Sequence, residues 1–211
     1  MATERKSEAL HLVERIRAST QIDDQRILRA FERVPRHEFV SESQLPHAYE
    51  DRALPLAEEQ TISQPSMIAI MLKELACEAG ERALEIGAGS GYAAALLGEL
   101  VSEVYAVEVR PALAARARAS LLRSGAANVH VIDGNGSWGL PEHAPYDRIL
   151  VSAAPKRVPG ALVEQLSLGG KIAIPVGDEH TQTLLVGRKT APNSVEWQKT
   201  VPCIFVPLVG V

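Results

Sequence analysis

Residues 82–100 constrain the fold of this chain more than any other stretch. Arg82-Ala83-Leu84-Glu85-Ile86 has the apolar character of a buried parallel strand, and Gly87-Ala88-Gly89-Ser90-Gly91 reads as a glycine turn. Tyr92 to Leu100 then carries Ala93, Ala94, Ala95, Leu96 and Leu97, all compatible with a helix. Glycine lets backbone amides close around a ligand, with a helix N-terminus behind them. The spacing is G-x-G-x-G, not the G-x-G-x-x-G of dinucleotide binders. It points away from nicotinamide dinucleotides and toward S-adenosyl-L-methionine, whose ribose and amino-acid tail need close backbone approach rather than a phosphate cradle. A lone glycine turn of this kind is as often merely a turn, so its flanks must decide.

The flanks support the ligand reading. A second strand, Val104-Tyr105-Ala106-Val107-Glu108, ends in an acid, about 20 residues after the first glycine, the spacing at which a carboxylate accepts ribose hydroxyls in a doubly wound sheet. Glu108 is therefore a candidate for the ribose. Glu85, at the mouth of the first strand, faces either the ammonium of the cofactor or the loop itself, and both readings stay open. Gly87, Gly89, Ser90 and Gly91 complete the candidate cofactor loop.

At 211 residues the chain suits one domain with a single core. The expected division is an N-terminal helical and substrate-loop region over 1–63 and a cofactor-binding α/β core over 64–211. With a formal net charge of -4, no basic field favours general nucleic-acid binding. Cys77 and Cys203 lie far apart in apolar settings, read as two buried thiols, and offer no metal spacing. The stretch Met1 to Glu8 is polar, and no run reaches the roughly 20 apolar residues of a membrane span. A cytoplasmic protein that does not engage a membrane is expected.

Along the chain, Ser7 to Arg33 reads as two helices. Leu10, Val13 and Ile16 form one stripe, Ile27, Leu28 and Phe31 another, and Asp23 is placed as the N-cap of the second. Val34 to Ser63, with Pro35, Pro46 and Pro55, reads as a long irregular and hence functional loop. A helix follows from about Gln64 to Cys77, with Pro65 in its first turn. Further elements are a helix over Pro111 to Ser124, strands over Val129 to Asp133 and Arg148 to Ser152, and a helix over Val158 to Leu166 ended by Gly169-Gly170. Strands over Lys171 to Val176, Thr183 to Arg188 and Cys203 to Leu208 close the pattern, with an antiparallel member among them. The expected fold class is α/β: a Rossmann-like fold with a mostly parallel central sheet and helices on both faces.

Several stretches, in order along nearly the whole chain after Val34, carry a resemblance. They are Val34-Pro35-Arg36-His37-Glu38-Phe39-Val40, Ala48-Tyr49-Glu50-Asp51-Arg52 and Gln60-Thr61-Ile62-Ser63-Gln64-Pro65, then the glycine loop, Pro141 to Asp147, Gly169-Gly170, Ile174-Pro175-Val176-Gly177 and Phe205-Val206-Pro207-Leu208. The chain resembles the protein-L-isoaspartate O-methyltransferase family. The glycine loop is common to many methyltransferases; Thr61-Ile62-Ser63-Gln64-Pro65 and the Val-Pro-Arg-His segment are much more specific. The resemblance implies that this α/β fold is the Rossmann-like S-adenosylmethionine-dependent methyltransferase fold, with S-adenosyl-L-methionine as cofactor, methyl transfer to the α-carboxylate of L-isoaspartyl residues in damaged proteins and peptides, and repair through a succinimide. It implies a monomer and places the catalytic serine at Ser63. Read from the residues alone, Ser63 is the N-cap of the helix at Gln64-Pro65, and the two roles are compatible.

The chemistry asks for little beyond orientation. A carboxylate with a reference pKa near 4 is ionised at pH 7 and needs no general base, so His37 is not expected to be one. Holding the reacting atoms in line at about 3 Å is the main task. Arg36 is either an orienting cation for the substrate carboxylate or a solvated or salt-bridged arginine. Tyr49, Asp51 and Arg52 either line the substrate cleft or pack the loop.

One departure stands out. Where the family usually shows Gly-Asp-Gly beside the adenine, this chain has Gly134-Asn135-Gly136 after Asp133. Gly134 and Asn135 are still placed at the cofactor, since an amide carbonyl can accept from an adenine amino group, but the charge is gone. Trp138 is read either as stacking near the adenine or as core, and Lys156-Arg157 as a solvated loop that adjusts substrate preference. Two rivals follow: a related carboxyl methyltransferase acting on another peptide or small molecule, and a methyltransferase-like binding protein with weakened cofactor affinity.

Overall fold

A pleated strand sends alternate side chains to opposite faces, and the central strands use this to serve two cores. The computed structural model describes residues 2–192 and 194–210; residues 1, 193 and 211, included in the single-domain reading, lie outside the described residues. In chain order the elements are α1 (Ala2–Thr20), α2 (Gln25–Arg33), β1 (Leu54–Pro55), β2 (Thr61–Ile62), α3 (Pro65–Leu75), β3 (Arg82–Ile86), α4 (Tyr92–Gly98), β4 (Glu103–Glu108) and α5 (Pro111–Ser124). Then follow β5 (Val129–Asp133), β6 (Tyr146–Val151), α6 (Gly160–Glu164), β7 (Leu166–Gly177), β8 (Gln182–Ala191) and β9 (Ser194–Cys203). β1 and β2 form a small antiparallel ladder; the other seven strands form one sheet in the order β5-β4-β3-β6-β7-β8-β9. β5 to β7 run parallel, while β8 is antiparallel to both β7 and β9.

Ala83 of β3 and Val104 and Ala106 of β4 join a core completed by residues of α1 to α5, among them Ile16, Phe31, Leu72, Leu96 and Ala117. Leu84, Ile86, Tyr105 and Val107, from the same two strands, face the other core with Leu162 of α6. The chain winds from β3 to β5 on one side and from β6 to β7 on the other, so its order reverses between β3 and β6. Ligands of open α/β sheets bind at the carboxyl ends of strands beside such a reversal, and the glycine loop leaves β3 there. No helix among the described residues is long and apolar enough to cross a membrane.

Several local expectations are corrected. In α1 the buried stripe is Ala9, Leu12, Val13 and Ile16, and Leu10 is 43% exposed. Repeated steps of three residues drift by about 60° each around a helix, which carries Leu10 off the face. The N-cap of α2 is Asp24, whose side chain accepts from Arg26 N, while Asp23 pairs with Arg17. The loop over 34–63 contains the β1–β2 ladder and 3₁₀ turns at Arg36–Glu38 and Glu42–His47. α6 is only five residues long, and Gly169-Gly170 does not end it but sits inside β7. The β6–β7 register shifts there, Gly169 has φ +81°, and a Cβ at Gly170 would lie 2.9 Å from the Asp147 carbonyl oxygen. The glycines therefore belong to a bulge. The last strand is β9; segment 204–208 instead crosses the strand ends and makes a single bridge, Ala154 with Pro207.

The loop over 34–63 is organised by Arg36, which is fully buried. One terminal nitrogen donates to the carbonyls of Ala48 (2.9 Å) and Glu50 (3.0 Å), the other to those of Arg52 and Ser63 (both 3.1 Å). Its guanidinium carbon lies 5.4 Å from the ring centre of Tyr92, the first residue of α4. Both sequence alternatives for Arg36 are thus overturned: it neither faces a substrate carboxylate nor is solvated or salt-bridged. Its forked donors serve four loop carbonyls at once, a task that the single ammonium of lysine cannot match. Burial lowers the Arg36 pKa, while the nearby Asp51 charge and Tyr92 oppose that shift.

Arg36→Lys should destabilise the protein by about 3 kcal/mol or more, because buried carbonyls lose their donors. Urea unfolding measures the loss, and proteolysis under native conditions should cut first within residues 48–63. A stability unchanged within error would show that the four bonds are incidental.

Candidate functional site

The glycine loop is built from the strand ends outward. Gly87 N and Ala88 N both donate to the Val107 carbonyl of β4, at 2.9 and 3.1 Å, and Gly91 N closes the turn on the Ala88 carbonyl at 2.7 Å. Gly91 has φ +85°, and a Cβ there would stand 3.2 Å from Leu121 and 3.3 Å from Ala117 of α5. Its glycine is thus demanded by backbone conformation and by close packing together. Ser90 Oγ accepts from Tyr92 N at 3.2 Å and supports the start of α4.

Two acids frame the loop. Glu108, almost fully buried, accepts from Gly89 N at 2.7 Å through one oxygen and from Arg110 N at 3.0 Å through the other. Each oxygen retains a lone pair for a further donor. Glu85 is fully buried; one of its oxygens accepts from Ser152 Oγ at 2.8 Å, and the other has no hydrogen-bond partner. Burial pushes its carboxyl up to about 8, the Ser152 bond opposes this, and the Glu108 charge adds to it. A buried carboxyl oxygen without a partner is costly unless a cation or another polar group completes it.

Glu85, Gly87, Gly89, Ser90, Glu108 and Ser63 all line one cleft. Its unpartnered acid oxygen fits the ammonium of an amino acid, and its second acid and close backbone fit a ribose. The residues present therefore fit S-adenosyl-L-methionine. Gly91 does not border the cleft; it shapes the turn from behind. Gly134 and Asn135 do not border it either, whereas Gly136 does. Both ends of the Asn135 side chain are engaged elsewhere: Oδ1 accepts from Ser137 N at 3.0 Å and Nδ2 donates to the Gly210 carbonyl at 3.2 Å. Trp138, at 69% exposed, is not core.

Ser63 stands where this cleft meets a second groove bordered by Gln64, Met67, Thr181 and segment 202–206; Thr61, Ser63, Ser152 and Val206 belong to both. Ser63 does not cap α3. The capping position is Gln64, without a side-chain bond, and the first-turn amide of Ser66 is taken by Asp51 Oδ1 at 2.8 Å. Asp51 is thus structural, and Tyr49 and Arg52 likewise border neither opening. Tyr49 bonds His37 Nδ1 at 2.7 Å, and Arg52 pairs with Glu50. Lys156 and Arg157 are exposed beside the groove, in a depression that shares His180 and Gln182 with it. Sequence reasoning missed Ser152 and segment 204–206. Ser152 was findable, since it follows the strand beside the point of reversal.

The folded protein holds the Glu85 proton up to about pH 8, whereas the unfolded chain releases it near the usual 4.5. Stability should therefore fall as pH rises between those values, by up to roughly 4 kcal/mol, from this group. Glu85→Gln should flatten that slope in urea midpoints taken from pH 5 to 8.5; a slope unchanged in the variant would refute the assignment.

Comparison with known proteins accords with this geometry. Residues 6–211 match the family model for protein-L-isoaspartate(D-aspartate) O-methyltransferase. A protein-L-isoaspartate O-methyltransferase of Roseiflexus castenholzii is 49% identical over 189 residues, covering 90% of this chain and 86% of that one. One from Aeropyrum pernix is 46% identical over 205 residues, covering 95% and 79%. A solved protein-L-isoaspartate O-methyltransferase superposes with a TM-score of 0.87 at 30% identity, covering 96% of this chain, which spans 66% of that one. A Plasmodium falciparum structure described as a protein-L-isoaspartate O-methyltransferase, in complex with S-adenosyl-L-homocysteine, gives a TM-score of 0.83 at 25% identity and covers 94% and 96%. The glycine loop, its two acids and the serine beside the groove thus occur in a chain that belongs to the protein-L-isoaspartate(D-aspartate) O-methyltransferase family.

Proposed function

We propose that this protein uses S-adenosyl-L-methionine to methylate the α-carboxylate of L-isoaspartyl residues in damaged proteins and peptides. The observation that carries the mechanism is the meeting of the two openings at Ser63 and Ser152. One opening offers an unpartnered acid and a close-approach backbone; the other is an open groove able to take a peptide. When bound, the cofactor supplies a methyl group already made electrophilic by the charge on its sulfur. Glu85 receives the ammonium of the amino-acid portion, Glu108 the ribose hydroxyls, and the glycine loop admits the nucleoside against its backbone.

The Ser63 hydroxyl, free of capping duty, donates to the isoaspartyl carboxylate and orients it toward the cofactor cleft. Because that carboxylate is already ionised at neutral pH, no residue has to remove a proton. The methyl ester then cyclises to a succinimide without further help from the protein. The reading treats the chain as one methyltransferase domain, monomeric and cytoplasmic, in which 1–63 supplies much of the substrate side and 64–211 the cofactor core. Segment 202–206 lends the second part a share in the groove.

Labelled cofactor and a matched pair of peptides, one isoaspartyl and one aspartyl, test the activity: base-labile methylation of the isoaspartyl peptide alone is expected, and transfer to neither peptide would sink the reading. Ser63→Ala should lower kcat about 10- to 100-fold, the value of a hydrogen bond to a charged group, and leave cofactor affinity within twofold. Unchanged kinetics would remove Ser63 from the chemistry.

A further inference from the structure

Segment 204–210 is held at three places across the ends of the sheet. The buried Gln182 side chain clasps Phe205, accepting from its N–H at 2.7 Å and donating to its carbonyl at 2.9 Å. Ala154, just beyond β6, receives the Leu208 N–H at 2.9 Å and donates to the Val206 carbonyl at 2.8 Å. The far end is fixed in the turn after β5, where the Gly210 carbonyl accepts from Asn135 Nδ2 at 3.2 Å and Ser137 Oγ at 2.9 Å. In the sheet β3 and β4 lie between β5 and β6, so the segment passes over the ends that carry the glycine loop and Glu108. Val206, Pro207, Leu208 and Val209 form one wall of the cofactor cleft.

At the far anchor, which it shares with the Ser137 hydroxyl, the part of position 135 is specific to an amide. An asparagine both accepts from Ser137 N and donates to Gly210. An aspartate at 135 could still accept from Ser137 N, but its second oxygen would face the Gly210 carbonyl as acceptor against acceptor. Gly210 is tight from the other side: its φ is +89°, and a Cβ there would lie 2.3 Å from Asn135 Nδ2.

We propose that Asn135 is a positioning residue that latches segment 206–210 over the cofactor cleft and thereby slows the escape of cofactor and demethylated product. The latch rests on the cofactor reading given above for its functional meaning, though not for its geometry.

Hydrogen exchange on the ligand-free protein and calorimetric titration with S-adenosyl-L-homocysteine test it. Asn135→Asp and Gly210→Ala should each speed amide exchange across 206–210 about tenfold, with global exchange of the sheet unchanged, and weaken S-adenosyl-L-homocysteine about tenfold, the worth of one such bond. The double variant should be no worse than either single one, since both break the same contact. Tighter binding by Asn135→Asp, with exchange unaltered, would overturn the latch and return position 135 to the adenine. Should Asn135→Asp fail to fold, Gly210→Ala carries the same expectations. Failure of the wild-type protein to bind S-adenosyl-L-homocysteine would overturn the proposed function, while exchange in the ligand-free variants would still decide the latch.

Discussion

A buried guanidinium bonded to four main-chain carbonyls is the interaction on which the rest of this structure leans. A long loop in a compact domain must satisfy its own polar backbone, and here the short β1–β2 ladder serves only a small part of it. Arg36 answers that requirement at a single point, tying residues 48, 50, 52 and 63 together and resting on Tyr92 at the head of α4. The loop that carries Ser63 and the helix that follows the glycine turn are thereby fixed relative to each other. Charge is used here to give a precise shape, with carbonyl dipoles in place of a carboxylate partner.

The site inverts that logic. Around Arg36 nearly every donor finds an acceptor, whereas at Glu85 a fully buried oxygen finds no donor. The carboxyl is consequently pushed up to about 8 by burial. In the proposed function the ammonium of the cofactor supplies the partner that the protein withholds. Ser152 holds the other oxygen, so the acid is aimed as well as buried. Glu108 is treated differently: loop amides bind both of its oxygens, and it serves the turn while facing the cleft. Two acids one strand apart thus carry distinct roles.

Much of this was legible in the chain itself. The bounds of α5 and β5 and the left-handed glycines of the turn follow from periodicity and from proline and glycine placement, which act over a few residues. The misreadings share a different character. Gly169-Gly170 looked like a helix end because local signals cannot tell a terminating glycine from a bulge glycine; the β6–β7 pairing makes the distinction. Cys203 to Leu208 looked like a strand because its apolar residues are real, but they wall a cleft and pack over strand ends. Asp23 and Asp24 are equally good caps on paper; in the fold Asp24 meets the Arg26 amide while Asp23 is drawn to the Arg17 side chain.

The sequence by itself determined the α/β order, the glycine turn flanked by acids at 85 and 108, and the motif around Ser63, because each depends on residues close together in the chain. Only the tertiary structure decided what Arg36, Asp51 and Asn135 do. The partners of Arg36 lie 12 to 27 residues away, that of Asp51 15, and the carbonyl that Asn135 Nδ2 meets 75. A polar side chain announces in sequence that it will bond to something. Which group it meets is set by the folded path of the backbone.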